Sequence, residues 1–337
     1  MRKLLVLSLL FLFAPLPAAA REVFVLPSYD ETIEWLESIG WWGEELRGEQ
    51  LEAPRTLLVA ISPHWREEAP QLPVDVKKEL FYRCLLPLVV HANVMVLDRR
   101  DRLAQADDEL ARGEALAPAD IERLRQMAVL LRIRTAEEAE AVTEAAEWRE
   151  VIAEALYRLD VIPPGLALGQ AASESGWGTS RFAVEANALF GQWTFGGEGL
   201  APSQQRKDLG DHRIAAFEWP FDSVRGYFLN LSSHPAYEDF RRIRAELKAA
   251  GKPLSSLALA DGLLRYSERG QEYVDELKSL IRTNRFDVAD AATQRDEPLG
   301  FAFGVPGEEA AREAREWIEQ LKKSGESEEI IARMRLE

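Results

Sequence analysis

Glu174 stands in GLALGQAASESGWG, at the end of an apolar helical run and directly before a Gly/Trp turn. The amides and aromatics Asn187, Phe190, Gln192 and Trp193 follow soon after. Cleaving a glycosidic bond requires a proton delivered to a poor alkoxide leaving group, and a carboxylic acid whose pKa is raised by apolar surroundings can deliver it. Partial burial beside the indole of Trp177 is expected to favour the protonated form. Gly176 and Gly178 allow the backbone to approach a sugar, and Trp177 offers a stacking face or a wall. The same residues also permit a structural reading, since glutamate is common at helix ends and tryptophan is usually core.

The run AASESGWGTSRFAVEANALFGQW resembles the signature of the endo-β-N-acetylglucosaminidases of glycoside hydrolase family 73: an A-x-x-E-S-x-W-G run followed by N-x-L/F-F-G. It is closer still to the Bax-type proteins of Gram-negative bacteria. The likeness extends from FYRCLLPLVVHAN through FGQW to YSERGQEYVDELKSLIRTN. It implies a mainly α, lysozyme-like domain whose cleft takes peptidoglycan glycan strands and cuts the GlcNAc-β-1,4-MurNAc bond. Glu174 would be the general acid, with Ser175, Trp177 and Gly178 shaping its wall. Asn187, Phe190 and Gly191 would line the opposite side beside Gln192 and Trp193. The family's cleft tyrosine, carried in a G-Y-A-T-type segment, matches Tyr266 of LLRYSERG, where Ser267-Glu268 replaces the Ala-Thr. Tyr273 is expected to pack at the start of the last helix of the domain.

A two-carboxylate mechanism places its second acid about 6.5–9.5 Å away for inversion or about 5–5.5 Å for retention. Glu198, Asp208, Asp211 and Glu218 are the candidates. Glu198 lies between glycines that would let a lobe move and is the preferred one. Asp208 and Asp211 flank a glycine as turn residues do. A substrate N-acetyl group acting as nucleophile is the alternative that needs an oriented tyrosine more than a second acid. No cofactor or metal is expected: His64, His91, His212 and His234 are scattered without partners at ligand spacing. Two competing functions stay open, a lytic transglycosylase working with one glutamate and a non-hydrolytic peptidoglycan-binding envelope protein.

These residues need a scaffold, and the periodicity supplies a mostly helical one. EVFVLP reads as a short extended piece and SYDETIEWLESIGWW as a helix capped by Ser28 or Asp30, with Trp41-Trp42 as an anchor or a sugar platform. TLLVAIS is the one plausible strand of the Pro-punctuated stretch that follows. A buried helix starts near Val74 with a kink at Pro87, and further helices are predicted over 100–113, 118–133 and 136–159. Pro163-Pro164 closes the last of these and opens the helix that ends at Glu174. Residues 194–212 read as an irregular lobe or short hairpin, and helices resume near Phe221 and Pro235 and continue to Asn284. The expected organisation is a leader at 1–20, an N-terminal helical segment at 21–135 packed on the body, the glucosaminidase domain at 136–290, and an acidic extension at 291–337 bearing one amphipathic helix.

At 337 residues the chain can bury a sizeable core. Arg2-Lys3, the apolar run Leu4–Leu16 and Ala18-Ala19-Ala20 have the layout of a cleavable signal peptide, which predicts export, to the periplasm of a Gram-negative cell. No later stretch is expected to span a bilayer. A net charge of −16 disfavours nucleic acid and anionic lipid as partners. Cys84, the sole cysteine, excludes an internal disulfide and reads as a buried inert thiol. Which protein partners the chain has is not legible in the sequence.

Overall fold

The computed structural model describes residues 22–43, 51–194, 199–200 and 213–324; the expected leader and the lobe acids Glu198, Asp208 and Asp211 lie outside them. Strand β1 (Val23–Leu26) leads into α1 (Tyr29–Ser38), capped by Ser28, whose hydroxyl accepts from the Glu31 amide at 3.2 Å. Strands β2 (Glu52–Ala53) and β3 (Thr56–Ala60) and the short α2 (Trp65–Glu68) precede α3 (Val74–Ala111). Helix α3 runs through Pro87 and past Arg100 as one helix where two are predicted, because no glycine or proline interrupts the chain between Pro87 and Gly113. It is long and apolar enough to cross a membrane, contrary to the expectation for the segments after the leader. Its apolar stretch is instead enclosed by protein, with all of residues 80–92 except Cys84 buried.

Helix α4 (Pro118–Leu130) starts on its proline as predicted. The predicted 136–159 helix is two, α5 (Ala136–Ala141) and α6 (Ala145–Arg158). The β-branched pair Val142-Thr143 is a weak helix former, and the extended backbone at Val142 puts its side chain in the core. Then come α7 (Pro164–Ser175) and α8 (Arg181–Ala186), the strands β4 (Trp193–Thr194), β5 (Gly199–Leu200) and β6 (Arg213–Ala215), and α9 (Pro220–Ser233). The chain continues through α10 (Glu238–Ala249), α11 (Ser256–Leu259) and α12 (Gln271–Thr283) to β7 (Thr293–Gln294), β8 (Gly300–Gly304) and α13 (Gly307–Ser324). The fold is mainly α, in keeping with a lysozyme-like domain.

Helix α7 is the axle of the body. Residues Pro164 to Ala172 are all buried on it, and its small side chains let neighbours come close. A Cβ at Gly165 would meet the Phe286 carbonyl at 2.5 Å, and one at Gly169 would meet Ile281 at 2.7 Å. Asp290 ties the start of α7 to α11, accepting from the Gly165 amide at 3.0 Å and the Ser256 amide at 2.7 Å. Burial pushes its carboxyl up to about 6 despite those bonds. From the N-terminal side, Asn93 of α3 exchanges two hydrogen bonds with Ile162 at 2.8 and 2.9 Å, fixing the turn that launches α7. Arg100 of α3 donates to the carbonyls of Leu156 and Leu159 at the end of α6. One apolar core runs continuously from Leu36 through these helices to Phe301.

The lobe is an antiparallel sheet in the order β4-β6-β5, with Trp193 opposite Ile214. The second sheet is unexpected. It is parallel in the order β1-β8-β3, with Val23 and Leu57 both paired to Phe301. Strand β7 likewise pairs in parallel with β2. The segment after residue 291 is therefore no appendage, since its strand β8 fills the centre of a sheet whose edges come from the beginning of the chain. The whole helical body forms the crossover between β3 and β8.

Candidate active site

Glu174 occupies the last turn of α7, which ends because Gly176 takes the left-handed conformation. Its side chain is open to solvent by area but reaches into a recess walled by tyrosines. Burial there raises its pKa, against a partly compensating hydrogen bond from Tyr273. The other wall is the left-handed turn at Gly191, where a Cβ would approach Glu174 Oε2 to 3.3 Å. A carboxyl so placed keeps its proton to higher pH than a free glutamate does.

A relay fixes that carboxyl. Tyr227 of α9 donates to Gln170 Oε1 at 2.7 Å, and Gln170 Nε2 donates to the Tyr273 hydroxyl at 3.0 Å. The Tyr273 proton is then left to face Glu174. Tyr273 is 5% exposed and Gln170 is fully buried, so the amide and the phenol have no water to choose instead. Tyr266 stacks on Tyr273, with centroids 5.6 Å apart and planes 9° apart, and donates to the Phe190 carbonyl at 2.9 Å. Tyr237 leans on Tyr266 at 5.8 Å. Burial, and to a lesser degree the Glu174 charge, raises the pKa of Tyr237, Tyr266 and Tyr273, so these phenols stay protonated as donors.

Several expected contact residues turn out to build the site from behind. Ser175 is fully buried; its hydroxyl donates to the Ala171 carbonyl at 2.6 Å and accepts from the Gly178 amide at 2.8 Å. The Trp177 ring points away from the acid into Phe81 and Phe286, so tyrosines, not an indole, desolvate Glu174. Asn187 caps α8 in the left-handed conformation and donates to the carbonyls of Phe217 and Glu218, holding the lobe's return strand. Phe190 is buried in a 4.1 Å stack on Tyr227, and it meets the cleft through its backbone. Gln192 is engaged by Ser223 through both its amide nitrogen and its oxygen. The backbone of Trp193 lies in β4, and its side chain is outside the described residues, as is Glu198. Glu218 is exposed at the lobe edge.

Tyr266 lies in the recess, but the tyrosine bonded to Glu174 is Tyr273, which reads from sequence as packing. Gln170 offered the signal that finds it. A buried amide one helical turn before Glu174 on an otherwise apolar face must be hydrogen-bonded by something. Elsewhere, Trp41 is an anchor, donating to the Arg83 carbonyl at 2.9 Å. Cys84 is half-buried rather than buried, but it faces an apolar recess where poor solvation pushes its thiol up to about 12, which leaves it unreactive. Among the described residues no group of His, Cys, Asp and Glu is arranged to hold a metal.

Removal of the phenol tests the relay. Tyr273 lowers the Glu174 pKa, so Tyr273→Phe is expected to raise it further and carry the alkaline limb of the activity profile to higher pH. The rate at the optimum should fall by about tenfold through loss of orientation. A pH–rate profile of the variant checks both, and an unmoved limb would remove Tyr273 from the site.

Residues 150–286 match the profile of the glucosaminidase family, described as mannosyl-glycoprotein endo-beta-N-acetylglucosaminidase. The chain is also similar to Protein bax of Escherichia coli (strain K12), with 29% identity over 213 residues, 63% of this chain and 72% of that protein. No solved structure matches it. The family match spans Glu174, the Phe190-Gly191 wall and the tyrosines around them, so residues 150–286 are similar to a glucosaminidase domain, in a chain that is similar to Protein bax over 63% of its length.

Proposed function

We propose that the protein is an exported, periplasmic peptidoglycan hydrolase that cleaves the GlcNAc-β-1,4-MurNAc bond, with Glu174 as general acid. The observation that carries this reading is the single carboxyl at the end of α7, desolvated by a tyrosine recess and held by the Tyr273 hydroxyl. A protonated Glu174 delivers its proton to the glycosidic oxygen as the bond to the anomeric carbon breaks. Its conjugate base is then stabilised by the Tyr273 donor, which favours the charged form. Tyr266, stacked on Tyr273 and backed by Tyr237, holds that donor in place behind the acid. The second half of the reaction falls to Glu198 of the lobe as the base that activates water, with the substrate acetamido oxygen as the route that needs no second acid.

Digestion of purified sacculi tests this directly. Mass spectrometry should find soluble muropeptides with reducing GlcNAc ends, and proton NMR of the fresh products should find anomeric inversion if Glu198 is the base. Retention together with full activity of Glu198→Gln would assign that role to the acetamido group. Anhydro-muropeptides would mark a lytic transglycosylase, and binding without soluble products a non-hydrolytic envelope protein; either outcome sinks the proposal.

A further inference from the structure

The turn that follows Glu174 has three successive left-handed residues, Gly176 at φ +59°, Trp177 at +62° and Gly178 at +76°. The glycines adopt this conformation freely, but a tryptophan in it is strained because its Cβ crowds the following carbonyl oxygen. Something must hold Trp177 there. Its ring meets Phe81 edge-on at 5.4 Å and Phe286 at 5.8 Å, and Lys78 Nζ lies 4.9 Å from its centroid. Its carbonyl accepts from Trp65 Nε1 at 3.4 Å. Packing of the half-buried ring and the cation over it favour this conformation and oppose the strain. Three of these four partners, Trp65, Lys78 and Phe81, lie in the N-terminal segment before the family match.

The same turn caps the end of α7. The Trp177 amide donates to the Ala172 carbonyl at 3.0 Å, and the Ser180 amide to the Ser175 carbonyl at 2.9 Å. If Trp177 relaxes to the right-handed region, these bonds go and the last turn of α7, which carries Glu174, frays. We propose that Trp65, Lys78 and Phe81 are positioning residues for Glu174, acting through the left-handed Trp177 turn. The inference rests on Glu174 being the acid. An apolar recess of about 110 Å³, lined by Trp65, Phe81 and Gly178 on the far side of this contact, means that the clamp is not backed there by solid core. Its grip therefore comes from these side chains themselves.

Trp65 is half-buried on a four-residue helix, so Trp65→Ala leaves the main core intact. The expected result is a kcat about tenfold lower with KM unchanged, since a small misplacement of an acid costs rate before binding. The Glu174 carboxyl, followed by carbon-13 NMR and assigned by its absence in Glu174→Gln, should titrate closer to the ordinary glutamate value of about 4.3 as it gains water. A folded Trp65→Ala protein with the wild-type kcat and the wild-type Glu174 titration overturns the proposal. If that variant does not fold, the double variant W65F/K78M, which keeps bulk on both elements but removes the donor and the cation, is held to the same two outcomes. A wild-type protein that cuts no glycan would defeat the functional reading alone, because the NMR titration decides the clamp without any turnover.

Discussion

Replacing Glu174 by glutamine is expected to lower the release of reducing ends from sacculi by about 10²–10⁴-fold, the usual contribution of a general acid. The fold should survive, and the pH dependence of stability says why. The folded-state pKa of Glu174 lies above its unfolded value, so the native protein holds this proton more tightly than the unfolded chain does. Stability contributed by the group is then fully present at acid pH and is lost as pH rises through the folded pKa. A neutral glutamine escapes that loss. The variant should unfold at a temperature equal to or above the wild type at pH 7, and the difference should shrink toward acid pH, where both side chains are neutral. Thermal unfolding across pH, run beside the sacculus assay, checks the two halves together. A variant that is stable yet still active would show that the proton comes from elsewhere.

Much of the scaffold was legible because its signals are local. Pro118 and Pro163-Pro164 mark helix starts, Gly176 marks the end of α7, and the short apolar runs VFVL and TLLVA mark β1 and β3. The carboxyl proposed as the acid could be singled out too, since Glu174 sits in a specific run of small residues. What could not be read depends on distant partners. Tyr273 shows the same apolar period on α12 whether its hydroxyl faces core or cleft, and the choice is made by Gln170, 103 residues earlier. Trp177 reads as a wall because nothing local announces that a tryptophan between two glycines will turn left-handed and carry its ring away from the acid. GFAFG lies in what reads only as an acidic extension. Only its pairing with β1 and β3, more than 240 residues away in sequence, makes it a strand.

That strand carries the second large effect. Truncation after Pro298, which removes Leu299 and all of β8 and α13, is expected to abolish the native state of the N-terminal segment. Strands β1 and β3 do not pair with each other, so both lose their whole ladder when β8 leaves. The bonds lost include Phe301 N–H to the Glu22 carbonyl at 2.9 Å and Gly300 N–H to the Arg55 carbonyl at 2.8 Å. Phe301, 3% exposed, leaves the core with them, and removing a buried phenylalanine alone costs about 3–5 kcal/mol. Set against a typical total of about 5–15 kcal/mol, the sum of ring, ladder and Ala302 is enough to unfold the sheet. Truncation after Pro306 is the control. It removes α13, whose buried contacts centre on Ala311 and Ile318, and leaves β8 in place, so it should lower the melting temperature only modestly. Circular dichroism and limited proteolysis of the two truncations make the comparison, and a melting temperature within a few degrees of the full chain after the longer deletion would refute it. Trp65 follows β3 directly, so the longer deletion also releases α2 from the Trp177 turn. A glycosidase reading confined to residues 150–286 would leave activity intact in that protein, whereas the clamp requires activity to fall with the sheet.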